Sequence, residues 1–368
     1  MTKLLFYIDT GLTGGGAEKV LCNLVNALDH DRFAVTVVTP FPADRSALSP
    51  RVNYRALYPA KNTLTRYLYR LESALGTVVR RLPRDFDLEI AYLECGPTKV
   101  LSASKTAAKK IAWVHCDLIL KADDPAAFSK KTAPWYEKYD HVVCVSESVR
   151  ESFDKLYNRR FPSSVLYNVN DEAEILQKAD AFLPEQSGVP TLCAVGRLTD
   201  QKNFLHLLRA LPKLKRDGIP FRLQIIGEGE DRQKLESYIA RHDLGDCVNL
   251  LGWQENPYPY IKNADIVVCS SRYEGLSTVV TEALILGKPV VTTPCNGMAE
   301  LLGDSEYGLI ADPDDNGLHR GLRRMLTEPG LREHYAAMSA RRGHDFRGTE
   351  LARKTEQFFT ELLEGTSL

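Results

Sequence analysis

The feature that most constrains this chain is a strand–helix alternation that runs twice, with a pause between the two series. In the first half, short and almost continuously apolar runs recur at Leu4–Ile8, Ala34–Thr39, Leu88–Leu93, Lys110–Val114 and His141–Val145. Such runs lack the polar alternation of a half-exposed strand, so they fit a parallel sheet covered by helices on both faces. The first run leads into Thr13-Gly14-Gly15-Gly16, and then Ala17, Val20, Leu21, Leu24, Val25 and Leu28 share one helical face. Residues 171–190, with Pro184, Gly188 and Pro190, read as a connector. The alternation restarts with strand Thr191–Val195, helix Phe204–Lys215, strand Phe221–Ile226 and helix Arg232–Arg241. Strands Cys247–Leu251 and Ile266–Cys269, helix Thr278–Leu286 and strand Pro289–Thr293 follow, and from Leu318 onward the pattern is helical. The expected class is α/β, with two doubly wound, Rossmann-like domains facing across a cleft. Ligands are then expected at the carboxyl ends of the strands. The expected domains are 1–170 and 188–346, with a helix at about 347–366 returning to the first.

A length of 368 residues agrees with two cores rather than one. No run of 18 apolar residues exists, and the N-terminal apolar run meets Asp9 too early for a signal peptide, so a cytoplasmic protein is expected. The eight cysteines form no C-x-x-C pair. Cys144, Cys193 and Cys269 lie inside strand runs, so they read as reduced, small apolar residues rather than disulfides or zinc ligands. Residues 1–170 carry 24 Lys and Arg against 18 Asp and Glu, and the remainder carries 23 against 30. A basic first half suits an anionic partner, while the near-neutral total and the lack of a recognition motif disfavour nucleic acid.

Four segments carry candidate chemistry. Gly15 and Gly16 open a helix after the first strand, where a bare backbone and free N–H groups suit a phosphate. Gly196-Arg197-Leu198-Thr199-Asp200-Gln201-Lys202 places two cations at the end of a strand, where a diphosphate fits between them. Glu274-Gly275-Leu276-Ser277-Thr278 leads into a helix that Ser277 or Thr278 is placed to cap. Glu282 follows one turn inside, among apolar residues. A carboxylate there needs hydrogen-bond donors such as sugar hydroxyls. His115 ends the run Ile111-Ala112-Trp113-Val114. Each segment has a plain alternative: a ligand-free turn, solvated loop cations, a glutamate on a solvated stripe and a satisfied rim histidine.

Taken together, G-G-A-E after the first strand, V-G-R-L-x-x-x-K-N from Val195 and E-G-L-S-T-V-V-T-E-A-L from Glu274 resemble the retaining nucleotide-sugar glycosyltransferases of family 4. Lesser matches are Val143–Arg150, Leu166-Tyr167-Asn168, Ile226-Gly227-Glu228-Gly229 and Gly287–Val291, so the resemblance covers nearly the whole chain. It implies the two-domain GT-B fold, with donor bound by the C-terminal domain and acceptor by the N-terminal domain. It further implies that Gly15 and Gly16 lie against donor phosphates and that Arg197 and Lys202 neutralise the leaving diphosphate. Glu282 would hold the ribose, and Glu274 with the backbone of Gly275, Leu276 and Ser277 the donor sugar. Gly227 and the stretch Leu250-Leu251-Gly252-Trp253 would edge the base, and His115 would meet the transferred sugar. The catalytic set is then Arg197, Lys202, Glu274 and His115, and Thr278 joins the substrate-binding set.

No metal or other cofactor is expected, because preset cations and helix N-termini can stabilise the departing diphosphate. The acidic pairs Asp123-Asp124 and Asp314-Asp315 sit in polar loops and suggest no metal site. The chain departs from the commoner family wording at Ser277, where glycine is frequent, and at Val169, where proline is. The expected donor is a nucleotide-diphosphate hexose or N-acetylhexosamine, with UDP-sugars favoured. The expected acceptor is a glycan or lipid-linked sugar in surface polysaccharide or lipopolysaccharide synthesis. Alternatives are an epimerase on the same fold and a non-catalytic sugar-nucleotide sensor.

Residues 61–84 hold Lys61, Arg66, Arg70, Arg80, Arg81 and Arg84 against one acid, Glu72. Leu64, Tyr67, Leu68, Leu71, Leu75, Val78, Val79 and Leu82 form an apolar stripe. As a helix this segment either lies on an anionic membrane or turns its stripe to the core. In the membrane reading Lys105, Lys109 and Lys110 join it.

Overall fold

The computed structural model describes residues 1–366. Two compact units are present: residues 1–170 with the C-terminal segment from Gly348, and Asp171–Arg347.

The first unit holds β1 (Thr2–Tyr7), β2 (Phe33–Thr39), β3 (Asn53–Ala56), β4 (Leu88–Ala91), β5 (Lys109–Val114), β6 (His141–Cys144) and β7 (Ser163–Val165). They form one parallel sheet in the order β3-β2-β1-β4-β5-β6-β7. Leu4, Leu5, Phe6, Ile90, Ile111 and Val143 are fully buried, as strands covered on both faces require. The last helix, Gly348–Glu364, belongs to this unit. Its Phe359 ring meets Phe6 and Phe33 at centroid distances of 6.3 Å, and Glu356 Oε1 accepts the Asp29 N–H at 2.6 Å.

The second unit holds β8 (Thr191–Val195), β9 (Arg222–Ile226), β10 (Val248–Gly252), β11 (Ile266–Cys269), β12 (Val290–Thr292) and β13 (Leu309–Ile310), in the order β10-β9-β8-β11-β12-β13. Its core joins Leu192, Leu207, Leu211, Leu223, Ile225, Ile266 and Leu322, all without exposed surface. In each sheet the order reverses direction beside the first strand of its series, between β1 and β4 and between β8 and β11. Crevices at such reversals are where open α/β sheets bind ligands.

The structure departs from the sequence reading in three places. Strands β3, β7 and β13 were not expected. All three are sheet edges of two to four residues, and β3 alternates exposed and half-buried positions, so none presents an apolar run. The stretch taken as a connector contains the helix Glu172–Ala179, whose first turn is capped by Asp171 accepting the Glu174 N–H at 2.8 Å. Residues 61–84 are not one helix. Helix Thr63–Ala74 stops before Gly76, which has φ +67°, and a single 3-10 turn follows at Val78–Arg81.

Candidate active site

In the second unit the loops after β8 and β11 are stitched together at the reversal point. Lys202 Nζ donates to Glu274 Oε1 at 2.6 Å, and the Ser271 hydroxyl donates to the same oxygen at 2.5 Å. Ser270 Oγ donates to the Lys202 carbonyl at 2.9 Å, the Arg272 N–H to the Gln201 carbonyl at 2.8 Å, and Gln201 Nε2 to the Tyr273 carbonyl at 3.2 Å. Both members of the ion pair are largely buried. Burial alone would lower the Lys202 ammonium, but the Glu274 charge beside it holds it above its ordinary value, so it stays charged. Arg197 is exposed and carries no ion pair among the described residues. The structure therefore gives one fixed cation and one free cation on the same loop.

Glycines let the backbone close up under this loop. Gly196 has φ +154° and packs on the Lys202 stem, and Gly227 has φ +143° where a Cβ would strike the Gly196 carbonyl. The Gly196 N–H donates to the Ile226 carbonyl and the Gly227 N–H to the Gly252 carbonyl, at 2.9 and 2.8 Å. Leu251 sits at a register break in β10 and is half-buried, whereas Trp253 beyond it is exposed.

The helix Thr278–Ile285 begins at Ser277, but the Ser277 side chain makes no capping hydrogen bond. The expected side-chain cap is absent for Ser277, whose Oγ is buried with no partner. Gly275 and Leu276 are buried beside it, and Thr278 is half-buried. A buried hydroxyl beside uncapped first-turn N–H groups suits an anionic, hydrogen-bonding ligand. Glu282 is buried rather than on a solvated stripe, and it accepts the Tyr258 hydroxyl at 3.3 Å.

In the first unit the glycine turn opens the helix Gly16–Ala27, with Gly15 at its N-cap and no side-chain cap. His115 follows β5, and its ring lies 4.8 Å from that of Tyr92. His115 Nε2 is buried without a partner, and burial lowers the imidazole to about 4, so it is neutral at physiological pH. The sequence reading missed its neighbour Glu94. That carboxylate accepts the His115 N–H at 3.1 Å, the Cys116 thiol at 3.0 Å and Lys121 Nζ at 2.7 Å. Burial alone would raise Glu94, but Lys121 and then His115 hold it well below the usual carboxylate range. Asp9, just after β1, was also missed. Burial pushes its carboxyl up to about 6. A signal existed for both: each is an acid directly following an apolar strand.

Three Asp-x-Asp spacings are committed elsewhere. Asp31 pairs with Arg51, Asp85 with Lys3 at 2.5 Å, and Asp312 and Asp314 share Arg320 at 2.5 Å. Among the described residues no group of three or more His, Cys, Asp or Glu side chains is arranged to hold a metal. Lys109 and Lys110 lie near the C-terminal end of the 61–84 segment, where the Lys109 N–H donates to the Asp87 carbonyl at 3.0 Å. They begin β5, the opposite end of the strand from His115, and both engage Asp140. A six-residue strand separates the two ends by roughly 20 Å.

Two family models account for most of the chain: Glycosyltransferase Family 4 over residues 14–174 and Glycosyl transferases group 1 over 177–342. The chain belongs to glycosyltransferase family 4, and its two sheets have the GT-B fold. It is thus a glycosyltransferase. It is 36% identical over 193 residues to the N-acetylgalactosamine-N,N'-diacetylbacillosaminyl-diphospho-undecaprenol 4-alpha-N-acetylgalactosaminyltransferase of Campylobacter jejuni, a match spanning 51% of each chain. It is 25% identical to the lipopolysaccharide core biosynthesis glycosyltransferase LpsE of Rhizobium meliloti, covering 90% of both. Among solved structures, Thermosynechococcus elongatus sucrose-phosphate synthase matches with a TM-score of 0.81 at 17% identity over the full length of both. Anabaena HepE, solved with UDP-glucose, matches at 0.76 and 18%, covering 98% and 100%. No helix among the described residues is long and apolar enough to cross a membrane.

Proposed function

We propose that this glycosyltransferase is retaining and metal-independent. It moves a hexose or N-acetylhexosamine from a nucleotide-diphosphate sugar, a UDP-sugar in the favoured case, to a glycan or lipid-linked acceptor in cell-surface polysaccharide or oligosaccharide synthesis. The second unit takes the donor and the first the acceptor, at the cytoplasmic face of a membrane. The observation that carries this reading is the buried Lys202–Glu274 pair beside the unpartnered Ser277 hydroxyl at a helix start.

In the reaction the bond from the anomeric carbon to the diphosphate oxygen breaks, and its electron pair leaves with the diphosphate. Lys202, Arg197 and the first-turn N–H groups after Ser277 meet that growing negative charge with little reorganisation. Glu274 fixes Lys202 and offers its second oxygen to sugar hydroxyls, and Glu282 accepts from the ribose. The acceptor oxygen bonds to the anomeric carbon on the face just vacated, and its proton passes to the departing phosphate oxygen. The neutral His115 imidazole contributes a hydrogen bond to the transferred sugar. Gly15 and Gly16 open a helix whose bare backbone and free N–H groups suit a phosphate.

Residues 61–84 support peripheral contact with an anionic membrane. Leu64, Tyr67 and Leu75 of that segment are 66%, 63% and 67% exposed, with Leu71 on the same face. The names of the Campylobacter and Rhizobium relatives support a lipid-linked acceptor, and HepE supports a UDP-sugar donor.

The test is thermal stabilisation by UDP, GDP and ADP and their sugars, with and without EDTA, followed by turnover. A shift with UDP that survives EDTA and disappears in Lys202→Ala is expected. Turnover abolished by EDTA would refute metal independence. Sugar interconversion without an acceptor would indicate an epimerase, and binding without nucleotide release a sensor.

A further inference from the structure

The segment after β4 grips the segment after β5, and it does so around one histidine. Glu94, which is buried, takes three donors from residues 115–121: the His115 N–H at 3.1 Å, the Cys116 thiol at 3.0 Å and Lys121 Nζ at 2.7 Å. Tyr92, on the same segment as Glu94, packs its ring 4.8 Å from the His115 imidazole. Tyr92 is itself buried and set against Phe6 and Trp113, at centroid distances of 5.9 and 5.0 Å. The far end of the stretch is fixed as well. Asp117 caps the helix Leu118–Lys121 by accepting the Ile119 and Leu120 N–H groups at 2.9 and 3.0 Å, and the Ser152 hydroxyl donates to Asp117 at 2.6 Å.

The imidazole at the centre of this network keeps one nitrogen bare: His115 Nε2 is buried and has no partner. A buried charged network is a demanding way to fix a loop, since each charged member must be matched. Strand pairing does not need it, because β5 is already held by β4 on one side and by β6 on the other. What the network adds is position. An acceptor on the His115 N–H fixes the main chain there, and the Tyr92 ring limits the plane of the imidazole. A side chain on a loop otherwise samples several rotamers, whereas a group that meets a reacting sugar has to be held within about 0.5 Å of its productive place. The second unit shows the same device. Glu94 follows β4 as Glu274 follows β11, each strand lies across the reversal from the first of its series, and each glutamate is paired with a lysine.

We propose that Glu94 is a positioning residue for transfer: with Lys121 as its counter-ion and Tyr92 behind the ring, it fixes the loop after β5 so that His115 Nε2 is presented to the transferred sugar. The inference rests on the transferase reading above, in which His115 meets that sugar, and adds the groups that hold it.

The test is a set of variants of the full chain with two readouts. The first is the nitrogen–proton NMR spectrum of the imidazoles, with the His115 signals assigned by their loss in His115→Gln. The second is UDP release from UDP-glucose and UDP-N-acetylgalactosamine with water as the acceptor. Glu94→Leu/Lys121→Met replaces the ion pair by apolar side chains, so it keeps the melting temperature while removing the acceptor of the His115 N–H. It is expected to spread the His115 signals over more than one state and to slow UDP release by about 100-fold, the scale of a misplaced reacting group, with KM for the UDP-sugar unchanged. Glu94→Gln keeps an oxygen for the His115 N–H and recovers about tenfold or more of that loss. In a His115→Gln background the Glu94→Leu/Lys121→Met change has no further effect, because the ring it positions is gone. An unchanged His115 spectrum, losses that simply add in the His115→Gln background, or a loss that tracks the melting temperature overturns the proposal. No UDP release from the wild-type chain, with the His115 signals spread in Glu94→Leu/Lys121→Met, counts against the transferase reading and leaves the hold of Glu94 on His115 standing.

Discussion

Lys202 and Glu274, 72 residues apart in sequence, form a buried 2.6 Å ion pair between the loops that follow β8 and β11. The pair puts a fixed positive charge at the reversal point of the second sheet. Lys202→Ala is expected to lower transfer by on the order of a hundredfold or more, as for loss of a preorganised charge-stabilising group. It also strands the Glu274 carboxylate, at a cost of about 3–5 kcal/mol in unfolding free energy. The double variant Lys202→Met/Glu274→Gln recovers stability but not turnover. Denaturation and initial rates measured on the same samples separate the two effects, and full activity in either variant contradicts the assignment.

Glu282 is buried and reached by the Tyr258 hydroxyl. Glu282→Gln keeps the shape and removes the strongest acceptor for ribose hydroxyls. Nucleotide affinity is expected to fall by about tenfold, the scale of one charge-assisted hydrogen bond. Titration with UDP checks this, and an unchanged Kd would remove Glu282 from the donor site.

Asp9 and His115 predict opposite pH effects on stability. Asp9 is raised to about 6 by burial, so the native state binds more protons than the unfolded chain between about 4 and 6. Its contribution is greatest at low pH and is lost as pH rises through that window. Asp9→Asn is therefore expected to stabilise the protein at pH 7.5, by up to about 3 kcal/mol from a two-unit shift. His115 is lowered to about 4, so its contribution is present above about 6.5 and is lost as pH falls toward 4. His115→Gln flattens the acid side of the stability profile. Melting curves from pH 4 to 8 distinguish the two, and Asp9→Asn melting lower than wild type at pH 7.5 would contradict the burial argument.

The exposed ridge Leu64, Tyr67, Leu71 and Leu75 costs little to change in the folded protein, because much of its surface already faces solvent. Leu64→Ser/Leu71→Ser is expected to leave the melting temperature within about 2 °C, consistent with a surface change below 0.5 kcal/mol. Flotation with anionic vesicles at low salt should drop several-fold. Retained flotation would show that the ridge is not the membrane contact.

Gly227→Ala places a Cβ against the Gly196 carbonyl at a φ of +143°. Loss of nucleotide binding with a lowered melting temperature is expected, because the loop carrying Arg197 and Lys202 rests on that contact. Calorimetry with UDP checks it.

Much of this was legible in the residue order. Interior strands such as Leu4–Tyr7 and Ile266–Cys269 are apolar on both faces, and that pattern is local. The turn glycines and the Arg197, Lys202, Glu274 and Glu282 constellation are likewise local in type and spacing. Edge strands such as Asn53–Ala56 escaped because pairing on one side needs no apolar run. Glu94 and Asp9 were visible only as acids after strands. Their roles depend on His115, Lys121 and Gly96, which the sheet order brings alongside them.

The sequence by itself determined the α/β class, the two series of strands and which residue types stand at the strand ends. Only the tertiary structure decided that Lys202 is neutralised by Glu274 while Arg197 is left free. The same is true of the unsatisfied Ser277 hydroxyl and of the split in the basic segment between a buried side and an exposed ridge. The physical reason is that periodicity reports which face of an element is apolar. Pairing of charges and exposure of that face depend on neighbours 70 or more residues away, such as those 72 residues apart in the Lys202–Glu274 pair.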